Sequence, residues 1–333
     1  MDVFYWKVSP SNFGDELNTW IWPRVLPDLY DYKNDSHVFV GIGTLINHKL
    51  PQDLVKIIFG AGVGYGDVPE IDDSYKIYFV RGPLSAEVLN LEKDKFITDP
   101  AILLSDYRHE ISPNTTKKYK VSFIPHYISE TLGNWHEVCE NIGIHCISPF
   151  GSIEEVSADI ISSDYVLTDA MHGAILADAF RVPWMVVHPS YNQILEFKWR
   201  DWAGSMNVNY DPISINCVWR GDNEKPTISR VKNVVKRGLF KAGMWNKSWT
   251  MPDRKKSNKH EIDIVCGQLT RALDSPQYNL SKDDVFKTLD SSHKCNSWLD
   301  PHQYLIWSFI PKAFSGSIVD FIHNGLYVSI GNV

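Results

Sequence analysis

The stretch that decides the fold is SDYVLTDAMHGAILADAFRVP, residues 163–183. An apolar run ends in a polar turn, a His-Gly pair opens an alanine-rich segment, and a second apolar run, Trp184 to His188, follows. A strand, a turn, a helix and a further strand in this order predict a unit with parallel strands. The turn brings backbone N–H groups and the imidazole of His172 to a helix N-terminus, which favours an anion such as phosphate or carboxylate.

The same alternation extends over the preceding residues. The predicted strands are 37–41, 56–60, 76–81, 119–125, 144–148, 165–168 and 184–188. The predicted helices are 15–25, 82–91, 129–142, 153–162 and 172–180. A polar segment with Pro113, residues 105–118, has the composition of a linker. We therefore predict an α/β protein with two Rossmann-like, doubly wound domains, residues 1–112 and 118–218, and a ligand cleft between them.

Residues 219–333 differ in character from the rest of the chain. Residues 219–260 are rich in Lys and Arg and poor in acidic residues, and Ile228 to Lys241 carry an apolar stripe at helical spacing. Such a helix either lies on an anionic membrane surface or packs its stripe against the core, and the pattern leaves both open. We predict a basic, helical C-terminal extension at 219–333.

Composition excludes several classes of protein. With 333 residues, 44% of them hydrophobic, and a net charge of −7, the chain has a globular composition that argues against a general nucleic-acid binder. Five cysteines without a C-x-x-C pair argue against a disulfide framework and against a zinc site. Neither a signal peptide nor a bilayer-spanning run is apparent. We expect a cytoplasmic protein, with peripheral contact at the inner membrane face if the basic helix binds lipid.

Two candidate segments precede residue 70. Residues 11–18 form a polar turn that runs into a helix, where Asp15 can accept a proton from a hydroxyl. Helix capping is the alternative explanation for Asn12 and Asp15. The glycine-rich loop 60–66, which includes Gly62, follows a strand and lets backbone approach a ligand, or is simply a flexible crossover. It matches neither the dinucleotide-binding nor the ATP-binding glycine pattern.

Charged side chains at strand ends are more specific. Arg81 ends a buried strand, so it either grips an anion or pairs with Asp99 or Asp15. His126 and His172 occupy equivalent ends of two strands of one predicted sheet.

Residues 198–202, Lys-Trp-Arg-Asp-Trp, place cations beside indoles, which suits anion and sugar contacts or the surface of a helix. The chain has no D-x-D, so a metal-held nucleotide sugar lacks its usual ligands, and we expect no metal.

In this order, the motifs resemble those of the polysaccharide pyruvyl transferase family, in its bacterial exopolysaccharide branch. The resemblance covers about residues 3–205 and rests on the joint pattern of 12–18, 41–43, 60–62, 81–85, 99–101, 125–127, 169–173 and 197–202. Family members often carry an arginine two residues before the motif histidine, where this chain has Ala170. Lys198 or Arg200 are the candidate replacements.

The resemblance implies a glycosyltransferase-B-like arrangement of the two domains and a reaction without metal or cofactor. Phosphoenolpyruvate is the implied donor substrate. The implied product is a pyruvate ketal on two hydroxyls of an exopolysaccharide sugar or of its lipid-linked precursor. Two alternatives stay open: a nucleotide-sugar glycosyltransferase of the same architecture, and a saccharide- or membrane-binding protein without activity.

On this interpretation each candidate residue has a role. His172 transfers the proton, His126 binds the donor phosphate or acts as a second acid or base, and Asp15 is a hydroxyl base. Asp99 orients a neighbouring side chain. The expected donor-binding residues are Arg81, Lys198, Gly173, Gly62 and Asn12.

Overall fold

The computed structural model describes residues 1–31, 35–92, 95–113, 116–189, 196–220 and 259–274. The strands are β1 Asp2–Val3, β2 His37–Val40, β3 Val55–Phe59, β4 Tyr75–Phe79, β5 Tyr119–Ile124, β6 His145–Cys146, β7 Ser163–Thr168, β8 Trp184–Pro189 and β9 Ile213–Ile215. The helices are α1 Phe13–Val25, α2 Asp28–Asp31, α3 Pro83–Val88, α4 Arg108–Ile111, α5 Tyr127–Leu132, α6 Trp135–Ile142, α7 Ile153–Ile161, α8 Met171–Ala179, α9 Glu196–Ser205 and α10 Lys259–Asp274. Pro100–Tyr107 forms a 3₁₀ helix.

All paired strands are parallel, in two sheets. The first sheet has the order β1-β2-β3-β4 and the second the order β6-β5-β7-β8-β9. In the second sheet the chain moves from β5 to β6 on one side and returns to β7 on the other. Parallel sheets of this order hold ligands in the crevice at the carboxyl ends of the two strands where the direction reverses. The residues after β5 and β7 therefore lie at the expected ligand position.

The two sheets share one apolar core. It joins α1 and the aromatic residues Phe39 and Phe59 of the first sheet to Val166 and Trp184 of the second. The strands are rich in Val, Ile and Phe and mostly buried, as expected for parallel sheets covered on both faces. Ala174 and Ala177 in α8 are fully buried and allow close packing on the 3₁₀ helix. The predicted α/β fold with parallel sheets is confirmed, while the glycosyltransferase-B-like arrangement and the domain boundaries stay predictions.

The predicted helix 129–142 is wrong in one respect, because the structure has two helices there. Residue Gly133 is extended, with φ −101° and ψ 167°, and separates α5 from α6. A Cβ atom at this position would lie 2.3 Å from Nε1 of Trp135, which donates a hydrogen bond to the Ser129 carbonyl. The tryptophan side chain thus occupies the place of a Cβ atom at residue 133, which favours glycine at the break. The predicted linker also begins as helix, since α4 extends to Ile111.

The described parts of the C-terminal extension are residues 219–220 and α10. Ile262, Val265 and Leu269 of this helix are buried and pack with α6 and the second sheet. The extension therefore contributes to the core of the second half. The basic segment Ile228 to Lys241 lies outside the described residues. Among the residues described, no helix has the length and apolar character needed to cross a membrane.

A buried ion pair ties α9 to the first sheet. The side chains of Arg81, which follows β4, and Asp201, in α9, are both fully buried. Arg81 Nε and Nη2 both contact Asp201 Oδ2, at 3.0 and 2.9 Å. Nη1 donates a hydrogen bond to the Thr44 hydroxyl, and Nη2 donates one to the Val63 carbonyl. The carboxylate also accepts from the backbone N–H and the hydroxyl of Ser85. Both charges are thus compensated away from water.

We predict that Asp201→Asn destabilises the protein by about 3 to 5 kcal/mol, because it leaves the buried guanidinium without a countercharge. Urea unfolding measures the change. The matched control is Glu196→Gln on the same helix. It removes the exposed pair with Arg200 and should cost less than about 1 kcal/mol. Equal effects of the two substitutions would contradict the structural role of the buried pair.

Candidate functional site

The start of α1 positions the Asp15 carboxylate. The side-chain oxygen of Asn12 accepts a hydrogen bond from the Gly14 N–H at 3.4 Å, and its amide donates to Asp15 Oδ2 at 2.9 Å. The Phe13 N–H donates to the Pro149 carbonyl, in the part of the chain that forms the second sheet, at 3.0 Å. Asn12 therefore caps α1 and orients Asp15, while the helix start is fixed against the second half.

Gly14 allows the ring of His172 to approach α1 closely. A Cβ atom at residue 14 would lie only 2.3 Å from His172 Nδ1. Burial raises the pKa of the Asp15 carboxyl, against smaller opposing effects of the Asn12 hydrogen bond and of the charges on His172 and Lys198. Asp15 from the first half and His172 from the second therefore interact across the junction.

Asp99 lies at the other nitrogen of the His172 ring. Asp99 Oδ2 is 3.8 Å from His172 Nε2, and both atoms are buried and make no hydrogen bond within the described residues. Oδ1 accepts from the Ala101 N–H at 3.0 Å at the start of the 3₁₀ helix, which fixes the carboxylate. A carboxylate held there can accept a hydrogen bond from the ring after a small movement. Asp99 is thus placed to orient His172.

His126 follows β5 and is 8% exposed. Its Nδ1 accepts a hydrogen bond from the Ile128 N–H at 3.4 Å, so in the neutral ring Nε2 carries the proton. Burial lowers the pKa of His126 well below 6.5, and the positive charges of Lys198, His172 and His188 lower it further. Near neutral pH, His126 is therefore an uncharged hydrogen-bond donor.

Lys198 brings a positive charge to the same place. It lies in α9, is 8% exposed, and donates from Nζ to the Tyr65 hydroxyl at 3.0 Å. Its charge acts on both Asp15 and His126. Arg200, the other candidate, is exposed and pairs with a glutamate on its own helix. Of the two cations, Lys198 is the one that lies with the histidines.

The geometry of Arg81 differs from the donor contact that we expected. The fully buried guanidinium contacts Asp201, Thr44 and Val63, which favours the ion-pair alternative with Asp201 in place of Asp99 or Asp15. A Cβ atom at Gly62 would lie 2.4 Å from Arg81 Cζ. Gly62 therefore makes room for the buried arginine.

Gly173 has a comparable packing role in the second half. A Cβ atom there would lie 2.6 Å from the Thr168 hydroxyl, which accepts from the Ala170 N–H at 2.9 Å. The glycine lets α8 pack closely on the end of β7. The N-cap residue of α8 is Ala170, whose side chain cannot accept a hydrogen bond from the first-turn N–H groups of the helix.

His188 was not predicted from the sequence as a site residue, and Asp169 was named only as part of the motif 169–173. His188 Nδ1, near the end of β8, is 3.7 Å from Asp169 Oδ1, and the other oxygen of Asp169 accepts a hydrogen bond from the Ser129 hydroxyl. The charge of His188 also acts on His126. The rule that selected His126 and His172, a polar side chain at the carboxyl end of a predicted strand, could have selected His188 as well.

We call Asp15, His126, His172 and Lys198 the histidine cluster. It combines a fixed cation, a neutral hydrogen-bond donor, an imidazole beside a carboxylate, and a carboxyl of raised pKa. Such a set can bind an anion and move protons to and from a substrate. Among the described residues, the triad of carboxylate, imidazole and thiol groups that could hold a metal lies elsewhere, on α5, α6 and β6.

Comparison with known proteins shows the family of the chain. A family profile described as "Polysaccharide pyruvyl transferase" matches residues 4–191, which include three members of the histidine cluster. The chain is also 35% identical to "Succinoglycan biosynthesis protein ExoV" of Rhizobium meliloti (strain 1021) over 268 residues, 79% of each chain. The protein belongs to the polysaccharide pyruvyl transferase family.

We predict that the neutral state of His126 makes stability depend on pH. Its folded pKa is depressed, so between that value and about 6.5 the unfolded chain binds a proton that the folded chain does not, and stability falls as the solution is acidified. In His126→Asn the new side chain can still cap the helix, but it cannot titrate. The substitution should therefore reduce the fall in the free energy of unfolding by up to about 1.4 kcal/mol per pH unit.

The measurement is urea unfolding of both proteins between about pH 5 and 7. The exposed His109 on α4 supplies the control, since His109→Asn should leave the slope of stability against pH unchanged. A wild-type slope that persists in His126→Asn would show that the buried ring takes up a proton in the folded protein.

Proposed function

We propose that the protein transfers the pyruvyl group of phosphoenolpyruvate to two hydroxyls of a sugar, forming a pyruvate ketal. The convergence of the histidine cluster at the reversal point of the second sheet carries this proposal. Family membership supports pyruvyl transfer, and the relative named for succinoglycan biosynthesis supports a sugar of an exopolysaccharide or its lipid-linked precursor as acceptor.

The donor carries a carboxylate and a phosphate close together. Lys198 Nζ offers a positive charge to one of them, and the side-chain-uncapped first turn of α8 offers backbone N–H groups to the other. The Nε2–H of His126 adds a neutral donor. In this proposal Arg81 does not touch the donor, but holds α9 and therefore Lys198 in place.

His172 is the proposed acid. The methylene carbon of phosphoenolpyruvate must take up a proton before its neighbouring carbon accepts an oxygen nucleophile, and an imidazolium is well suited to deliver it near neutral pH. Asp99 Oδ2 lies 3.8 Å from Nε2 on one side of the ring. Gly14 keeps the ring against α1, so its orientation is fixed from both sides.

Asp15 is the proposed base for the acceptor. Its carboxyl has a raised pKa, which makes it a stronger proton acceptor than an exposed aspartate, and Asn12 holds one of its oxygens. Tyr65 and Tyr127 lie near the same groups, since the pKa of Tyr127 is raised by burial and by the charges of Tyr65 and Asp15. Tyr65, whose hydroxyl accepts from Lys198, offers an aromatic ring on which a sugar can pack.

The proposed steps balance. His172 gives a proton to the methylene carbon, the first sugar hydroxyl attacks the adjacent carbon, and Asp15 takes the hydroxyl proton. The bond from that carbon to the phosphate oxygen then breaks and phosphate leaves. The second hydroxyl attacks the same carbon and closes the ketal ring. Of the two hydroxyl protons, one restores the acid and the other leaves with phosphate.

We predict that His172→Ala abolishes phosphate release from phosphoenolpyruvate in the presence of acceptor while the fold is retained. Loss of a general acid costs about 100- to 10,000-fold in rate. Phosphate release and product mass, with the pyruvyl increment, are the readouts. The exposed His109→Ala is the matched control and should keep full activity. Full turnover by His172→Ala would remove the assignment.

We predict that Lys198→Met raises the KM for phosphoenolpyruvate about tenfold or more, because a charge-assisted contact to a bound anion contributes about 1.5 kcal/mol or more. Arg200→Met, two residues away and exposed, should leave KM within about twofold. Steady-state kinetics with saturating acceptor provide both values. An equal rise in KM for the two variants would argue against a specific role of Lys198.

The glycosyltransferase alternative is tested with the same protein. Phosphoenolpyruvate should raise the melting temperature, since a ligand that binds the folded state stabilises it, whereas nucleotide sugars should not. Stabilisation by a nucleotide sugar alone, with transfer of its sugar to an acceptor, would replace the proposed activity.

A further inference from the structure

A second group of polar side chains lies where α5, α6 and β6 meet. Glu130 in α5, His136 in α6 and Cys146 at the end of β6 place one ligand atom each within 4.8 Å of one another. Glu130 Oε1 is 3.0 Å from His136 Nε2. Three different ligand types thus converge from three elements, without any contribution from the histidine cluster.

Glu130 is the unusual member of this group. Its side chain is 7% exposed, and Oε1 is shared by His136 and by the guanidinium of Arg220 at 3.5 Å. Its other oxygen, Oε2, is buried and accepts no hydrogen bond from the described residues. Burying a carboxylate oxygen without a hydrogen-bond partner costs free energy, and a bound cation or donor at Oε2 would offset that cost.

Two more thiols lie close to the group. Cys139 is buried, and its interaction with the Cys146 sulfur raises its pKa, together with burial and the charges of Glu130 and Cys266. His136 and Cys139 are three residues apart on α6 and so share one face of the helix. Cys266 belongs to α10. The cluster is therefore rich in soft ligand atoms.

We propose that Glu130, His136 and Cys146 bind a divalent zinc-type metal ion, with a fourth position left for water. A tetrahedral ion with bonds of about 2.0 to 2.3 Å places its ligand atoms roughly 3.3 to 3.8 Å apart, which lies within the 4.8 Å limit that the three ligand atoms satisfy. Mixed nitrogen, sulfur and oxygen ligands favour zinc over magnesium or calcium.

Metal binding changes the protonation of the site in a defined way. His136 must present a neutral Nε2, and the Cys146 thiol must lose its proton, so binding releases protons to solvent. Arg220 stays beside Glu130 and offsets part of the negative charge of the carboxylate and the thiolate. With ligands from α5, α6 and β6, the ion links these three elements, and α5 carries the Ser129 that bonds Asp169.

Titration of the tag-free full chain with Co²⁺ tests the proposal, because a thiolate ligand gives a charge-transfer band in the near ultraviolet. We expect that band at one Co²⁺ per chain, its displacement by Zn²⁺, and a higher melting temperature with Zn²⁺. Cys146→Ser should lose most of the band. Loss of a residue that only contacts a metal ligand weakens metal binding about 10- to 100-fold. His136→Gln removes a ligand itself, so it should weaken Co²⁺ binding by more than that.

Cys217→Ser is the matched control, since this thiol lies outside the triad, and it should keep the band and the affinity. Unfolding of each metal-free variant establishes that it folds. A wild-type chain without the charge-transfer band overturns the proposal. So does a band that Cys146→Ser and His136→Gln leave unchanged, because the ion would then be held by other residues.

Discussion

The buried pair between Arg81 and Asp201 is the interaction on which the proposed site depends most. Asp201 lies three residues after Lys198 on α9, so the two side chains share one face of the helix. Because Asp201 is held by Arg81 and Ser85, α9 is fixed to the first sheet. The same constraint places the Lys198 ammonium beside Tyr65 and within range of Asp15. One buried ion pair thus determines where the site has its fixed positive charge.

The second constraint is the order of strands in the second sheet. The direction reverses between β5 and β7, which leaves His126 and the start of α8 at neighbouring carboxyl ends. Their environments separate the two imidazoles chemically. His126 is buried and neutral, whereas His172 has Asp99 at one nitrogen and Gly14 at the other. One ring is thereby suited to donate a hydrogen bond and the other to carry a proton.

Much of this could be predicted from sequence, because parallel strands have buried apolar runs and end where ligands bind. That reasoning gave the α/β class and brought His126 and His172 together. It could not give contacts between distant segments. Asp201, 120 residues from Arg81, is the partner instead of Asp99 or Asp15. The break at Gly133 is packed against the Trp135 side chain. The proposed metal ligands come from three separate elements and form no C-x-x-C pair, so a search for local sequence motifs could not find them.

The most direct test of the central claim follows the proton. In D₂O, with purified protein, phosphoenolpyruvate and a panel of galactosyl, glucosyl and mannosyl acceptors, the account predicts one phosphate released per ketal formed. The ketal methyl group should contain one deuterium, because the imidazole of His172 exchanges its proton with solvent before delivering it. Mass spectrometry reads both the pyruvyl increment and the deuterium. Release of phosphate without a pyruvyl product, or a product whose methyl group lacks deuterium, would contradict it.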